Sequence, residues 1–272
     1  MPAAARARHE QQLATAKAEY DKNRDNADAI IWLGRRLGYL GRFRESIEVF
    51  SEGVRKHPRD ARMLRFRGHR YITVREFDNA IRDLDKAAAL VLGTPDQIEP
   101  DGLPNERNTP IGSLHSNICY HLGLAHYLKG DFRPALQVWE NCHKLSTNAD
   151  RLVSTGHWLY MTLRRLGRKG DAERVLEPMS PGMDIIENAS YETLLMMYGG
   201  ESGPETLESQ DPATTDGATI LYGVGNWYLY NGETAKAETI FRRIIAGGQW
   251  PAFGFIAAEA ELERMKKTRS EK

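Results

Sequence analysis

The residues of this 272-residue chain whose types could do chemistry are two cysteines, eight histidines and an uneven scatter of arginines. His115 stands one helical turn before Cys119, and His143 follows Cys142, which offers thiolate and imidazole ligands of the kind zinc takes. The spacings match no zinc signature. The same two cysteines offer a disulfide where the compartment oxidises and the Cα atoms approach to about 4.4–6.8 Å. They also read as two small buried hydrophobes. No His-Glu-x-x-His, no Gly-x-Ser-x-Gly elbow and no phosphate-binding loop occurs, and Gly223-Val-Gly225-Asn-Trp-Tyr lacks the third glycine of a dinucleotide turn. Asn188-Ala-Ser190 fits a glycosylation acceptor, which has meaning only in a secreted chain. The motifs therefore point away from catalysis, and no cofactor or metal is expected.

Charge narrows the partner. The formal net charge is zero, but residues 1 to 92 carry 19 Lys and Arg against 13 Asp and Glu, and the remainder 18 against 24. An excess of +6 over the first third favours an acidic partner, or reflects arginines on solvated helix faces. A neutral total argues against nucleic acid. No run approaches the roughly 20 apolar residues of a membrane span, and the opening Met1-Pro-Ala-Ala-Ala-Arg lacks the apolar segment of an export signal. As written the chain is expected in the cytoplasm, or in the periplasm or exported if an upstream signal has been removed.

The elements that must position these residues are helical. Residues 3–22 form an Ala-rich amphipathic helix with Leu13, Ala16 and Tyr20 at helical spacing. Residues 27–60 then read as one helical hairpin, with Ile30, Leu33, Gly34, Leu37, Gly41, Phe43, Ser46, Phe50, Gly53 and Pro58 at its packing positions, and residues 61–92 repeat it in phase through Leu64, Gly68, Tyr71, Phe77, Ala80, Leu84 and Ala87. Residues 93–112 interrupt the phase with four prolines, which cannot continue a helix. A third unit spans 116–149, with Leu122, Gly123, Gly130, Phe132, Ala135 and Trp139. A weaker one spans 153–181. Residues 187–217 read as a degenerate repeat whose second half is an acidic loop, perhaps with a short helix near Glu205. A last full unit covers 218–250, and a capping helix covers 251–267, turning from apolar to Glu/Lys/Arg-rich as an exposed end requires.

Two consecutive units in phase resemble the tetratricopeptide repeat family: a large residue fourth, Leu seventh, a small residue eighth, an aromatic near the eleventh, and small residues at the twentieth and twenty-seventh. The resemblance implies an all-α fold, a right-handed α-solenoid of antiparallel helix hairpins forming a single domain over 1–272, here with a Pro-rich insertion and an acidic loop. In that family Cys119 and Cys142 occupy the fourth and twenty-seventh positions of one hairpin, which face each other.

The resemblance further implies a non-catalytic scaffold that binds a peptide or partner protein in a groove lined by the first helices. Its binding positions carry over to Ile31, Arg35 and Tyr39; to Arg62, Arg65, His69 and Thr73; to Asn117, Tyr120, Leu124 and Tyr127; to His157, Met161 and Arg165; and to Tyr222, Asn226 and Tyr230. Arginines at one end and tyrosines further on suit an extended peptide with acidic and apolar side chains, because Arg forks a carboxylate and Tyr gives rigid contact area. The clamp by which one subfamily grips a chaperone's terminal carboxylate is absent. Its positions hold Ile31 and Arg35, then Phe66, then Asn117 and His121. The alternative is a small-molecule or enzyme site beneath the insertion, with Ile98, Leu103 and Ile111 anchoring it and Asp101, Asn105, His115, His121 or Tyr120 around a pocket.

Overall fold

The computed structural model describes residues 1–271 and is all-α: among the described residues the only extended pairing is an antiparallel bridge between Ile98 and Ser113. Contacts divide the chain into two compact units, Met1–Leu103 with Gly112–Ala125, and Pro104–Ile111 with the residues from His126 onward. The first holds α1 (Ala3–Lys22), α2 (Ala27–Tyr39), α3 (Phe43–Lys56), α4 (Ala61–Thr73), α5 (Phe77–Val91) and the start of α6 (Leu114–Lys129). The second holds the end of α6 and then α7 (Phe132–Lys144), α8 (Ala149–Arg165), α9 (Lys169–Leu176), α10 (Ala189–Tyr198), α11 (Thr215–Tyr230), α12 (Thr234–Gly247) and α13 (Phe253–Ser270). The acidic stretch after Tyr198 contains one 3-10 turn, Pro204–Leu207.

Local sequence explains the hairpins. Side chains of Asn26, Asp60, Asn148 and Thr214 accept backbone N–H bonds at the starts of α2, α4, α8 and α11, meeting donors that the helix itself leaves unpaired. The turn between α2 and α3 places Gly41 at φ +77°, where a side chain is strained. In the next hairpin Arg75 takes the corresponding place at φ +65°.

The eighth-position glycines are there for close approach. A Cβ on Gly34 would lie 2.5 Å from the Phe50 ring, one on Gly68 2.7 Å from Leu84, and one on Gly225 2.6 Å from Phe241. Each pair joins the eighth residue of a first helix to the twenty-fourth residue of the same hairpin, so one steric lock sets the helix-to-helix distance in three hairpins. Phe50 goes on to stack on Phe66 at 5.6 Å, within a core of Ile30, Ile31 and Met63.

Two buried ion networks tie the hairpins. In the first unit Arg67 donates to both oxygens of Asp83, at 2.6 and 2.7 Å, and to Ser51. In the second, Arg165 and Arg264 both reach the Glu261 carboxylate, which is buried. Burial pushes the Glu261 carboxyl up, but the two guanidiniums outweigh it and hold the group below its ordinary value. Asp150, also buried, accepts the backbone N–H groups of Ile186, Glu187 and Asn188 and so fixes the approach to α10.

Neither cysteine is a free thiol. Among the described residues no group of three His, Cys, Asp or Glu side chains is placed to hold a metal ion, and no helix is long and apolar enough to cross a membrane.

Gly34→Ala drives a methyl into the Phe50 ring and is expected to cost about 1–3 kcal/mol, the range for overpacking a filled core. Urea denaturation measures it, and adding Phe50→Leu should recover part of the loss. A neutral Gly34→Ala would contradict the steric lock.

Candidate functional site

In the first unit, α2 and α4 lie side by side and present Trp32, Arg35, Arg36 and Tyr39 from one, and Arg65, Phe66, His69 and Arg70 from the other. The spacing of three and four within each helix puts these side chains on one face. Of the binding residues expected from the sequence, this face brings together Arg35, Tyr39, Arg65 and His69.

The face is covered by the chain's own insertion. The Arg65 guanidinium pairs with the Glu99 carboxylate at 2.8 Å, with both side chains nearly enclosed at 7% and 12% exposure. Arg35 donates to the carbonyl of Pro100 at 2.8 Å, and Arg36 to that of Gly102 at 2.9 Å while also holding Gln12. Gly102 sits so close to Tyr39 that a Cβ there would fall 1.8 Å from the phenol oxygen. Both guanidiniums lie against Trp32, 4.5 and 4.9 Å from its ring centroid, which orients their N–H edges toward the segment.

The base of the segment is pinned independently. Glu99 N–H donates to Gly112 O and Leu114 N–H to Gln97 O, while Asp96 accepts from the His115 N–H at the start of α6. Hydrogen bonds from Ser113, His115 and Gln97, against the opposing effect of burial, hold the Asp96 carboxyl below its ordinary value.

The anchors are therefore polar, which corrects the expectation of apolar anchoring: Ile98 and Leu103 are 71% and 53% exposed. A segment with few apolar residues binds through its main-chain carbonyls and one carboxylate where arginines supply the donors. Nor do the residues proposed around a pocket converge. Asp101 lies beside Arg35, its carboxyl raised by burial and by Glu99 against the pull of that arginine. Asn105 donates to Glu187 in the second unit, His115 contacts Thr94, Tyr120 is buried, and His121 meets the Asn117 carbonyl and the His69 ring.

Beneath Glu99 remains a cavity of about 110 Å³ walled by Arg35, Arg65, Arg70, His69 and Phe50. Burial, followed by the charges of Arg70, His121, Arg65 and Arg35, pushes the His69 imidazole well below its ordinary range, so it is neutral at pH 7. Arg70 is pushed down to about 10, by burial first and then by Arg65 and Arg35, and stays charged at neutral pH. A wider cleft of about 440 Å³ opens between α1 and α2, but its wall brings no cluster of like charges together.

The remaining expected site residues are packing residues. Leu124 in the first unit is buried, as are Tyr127, His157, Met161, Tyr222 and Asn226 in the second. The reason is that α8 is enclosed by α7, α9, α10 and α11, so the helix faces that would line an open groove meet one another instead. Tyr222 donates to the Tyr127 hydroxyl at 2.9 Å, Asn226 accepts from Arg165, and His157, pushed down to about 3 by burial, lies beside Tyr198. Tyr230 is half-buried under the Arg164 guanidinium, 4.2 Å from its ring. Arg36, Arg70 and Glu99 were missed by the sequence reading. The first two share the tenth position of successive repeats, a signal present in the sequence, whereas nothing local distinguishes Glu99.

No protein-family model matches the chain, and no curated protein does either. Solved structures with a similar fold include YrrB, described as a TPR protein with an unusual peptide-binding site, at 15% identity over 90% of this chain and 97% of that one, with a TM-score of 0.47. MamA of AMB-1 aligns at 19% identity over 63% and 87%, TM-score 0.47. The TPR-like repeats of a kinesin light chain from Podosopora anserina align at 14% over 82% and 95%, respectively 94% in the variant form, with TM-scores of 0.47. These likenesses are of fold alone.

Glu99→Ala is expected to release the segment: amide exchange of residues 97–103 should accelerate at least about tenfold while α4 stays protected, since their protection depends on local closure. Hydrogen-exchange mass spectrometry reads this directly. Unchanged protection would show that Glu99 does not hold the segment down.

Proposed function

From an all-α fold of tetratricopeptide-type hairpins, we propose that this protein is a non-catalytic interaction scaffold whose α2–α4 face binds an extended, acidic segment of a partner protein. The observation that carries the reading is the chain's own use of that face. Residues 99–102 lie on it with two main-chain carbonyls accepted by Arg35 and Arg36 and one carboxylate by Arg65. A surface that satisfies carbonyls and a carboxylate in this way is chemically suited to any extended segment presenting the same groups.

The tethered segment then competes with the partner. A covered face binds only in the fraction of time it is open, so apparent affinity falls by that fraction. The hairpins themselves supply rigidity, and the arginine stems packed on Trp32 reduce the entropy lost when the guanidiniums engage a ligand.

Affinity capture from lysate of the native host, compared between the natural protein and Arg35→Ala/Arg36→Ala, tests this. Each hydrogen bond to a charged group contributes about 1.5–3 kcal/mol, so the double variant should retain its helical circular dichroism yet capture the partner at least about tenfold less. Equal capture by the folded variant would sink the proposal.

A further inference from the structure

We propose that the cavity beneath Glu99 is a binding site for a dianionic, phosphate-type oxyanion. It shares Arg35 and Arg65 with the peptide-binding face but is read from Arg70, which that face does not use.

Charge is the first reason. Three guanidiniums, from Arg35, Arg65 and Arg70, wall the cavity against the single carboxylate of Glu99, and His69 is neutral. Asp101 sits beside Arg35 without lining the cavity. With or without Asp101 ionised, one to two positive charges remain uncompensated in a partly desolvated space. Such an arrangement is costly unless an anion completes it.

Donor accounting is the second. Arg65 is buried and its Nε–H meets no protein acceptor. Arg70 has the Phe43 ring at 5.5 Å as its neighbour and no carboxylate within ion-pair distance. Arg35 spends Nε and Nη2 on Tyr39 and Pro100 and leaves Nη1 unused. Unsatisfied N–H groups from three residues therefore surround one space, and buried donors of this kind are ordinarily paired.

Fit is the third. The 110 Å³ cavity exceeds a water's share of roughly 30 Å³ several times over. It is too small for a nucleotide or a peptide side chain with its backbone. Gly38 is part of the same construction: a Cβ there would lie 2.7 Å from an Arg70 Nη, so the glycine leaves room for the guanidinium against α2. An oxyanion of four acceptor oxygens matches a ring of forked donors better than a monovalent carboxylate does.

Isothermal titration calorimetry of the full-length protein at pH 7.5 and constant ionic strength, with inorganic phosphate, O-phosphoserine and acetate as separate titrants, tests the site. Saturable one-to-one phosphate binding is expected. It should be lost at least about tenfold in Arg70→Met, which keeps the stem against Phe43, and strengthened several-fold in Glu99→Gln, which removes the competing charge. Tighter binding of O-phosphoserine than of inorganic phosphate would support the site and assign it to a phosphorylated side chain, and the reverse to the free ion. No saturable binding by either, acetate bound as tightly as phosphate, or equal phosphate binding by a folded Arg70→Met would overturn it. Partner capture depends on Arg35 and Arg36, so that reading stands or falls separately.

Discussion

The buried pair between Arg65 and Glu99 is the interaction on which the functional face depends. It joins the middle of α4 to an insertion that has little apolar surface with which to hold itself in place. Pairing two enclosed charges is not by itself strong evidence of stability, because desolvation offsets much of the attraction. Its consequence is specificity: once Arg65 is buried it must have a carboxylate, and the chain supplies one at a single place. The carbonyls of Pro100 and Gly102 then fall to Arg35 and Arg36, one helix away.

That arrangement gives the two units different characters. In the first, α2 and α4 stay parallel neighbours and keep their arginines at a surface that only a loop covers. In the second, α10 and α11 both pack on α8, and the tyrosines that would line a groove become a core: Tyr160 stacks on Tyr198 at 4.4 Å, and Trp158 lies 5.0 Å from Tyr127. The same residue types at the same repeat positions thus serve recognition in one unit and packing in the other. Neighbouring helices, not the repeat pattern, decide between them.

Much of the fold was legible because its determinants are local or periodic. Gly34 with Phe50 and Gly68 with Leu84 repeat at a fixed interval, and a close helix contact is the physical reason for that interval. Asn26, Asp60, Asn148 and Thr214 announce helix starts by their chemistry. The path of the insertion was not legible, since its proline content excludes a helix without saying what replaces it. Ile98 and Leu103 drew attention as apolar anchors and are exposed. Glu99 drew none, because a lone glutamate becomes decisive only through Arg65, which is 34 residues away in sequence. Arg70 escaped notice for a similar reason: it sits outside the repeat's usual binding positions, and only the space left by Gly38 reveals where its guanidinium goes.

A double-mutant cycle on Arg65 and Glu99, with Arg65→Ala, Glu99→Ala and the double variant compared by urea denaturation, tests the central claim most directly. If the pair holds the segment to the α2–α4 face, each single change leaves a buried charge unpartnered. The coupling energy should then reach about 2 kcal/mol or more, within the range for residues in direct contact. Strictly additive losses would contradict the account, because the insertion would then rest on the face without being held by it.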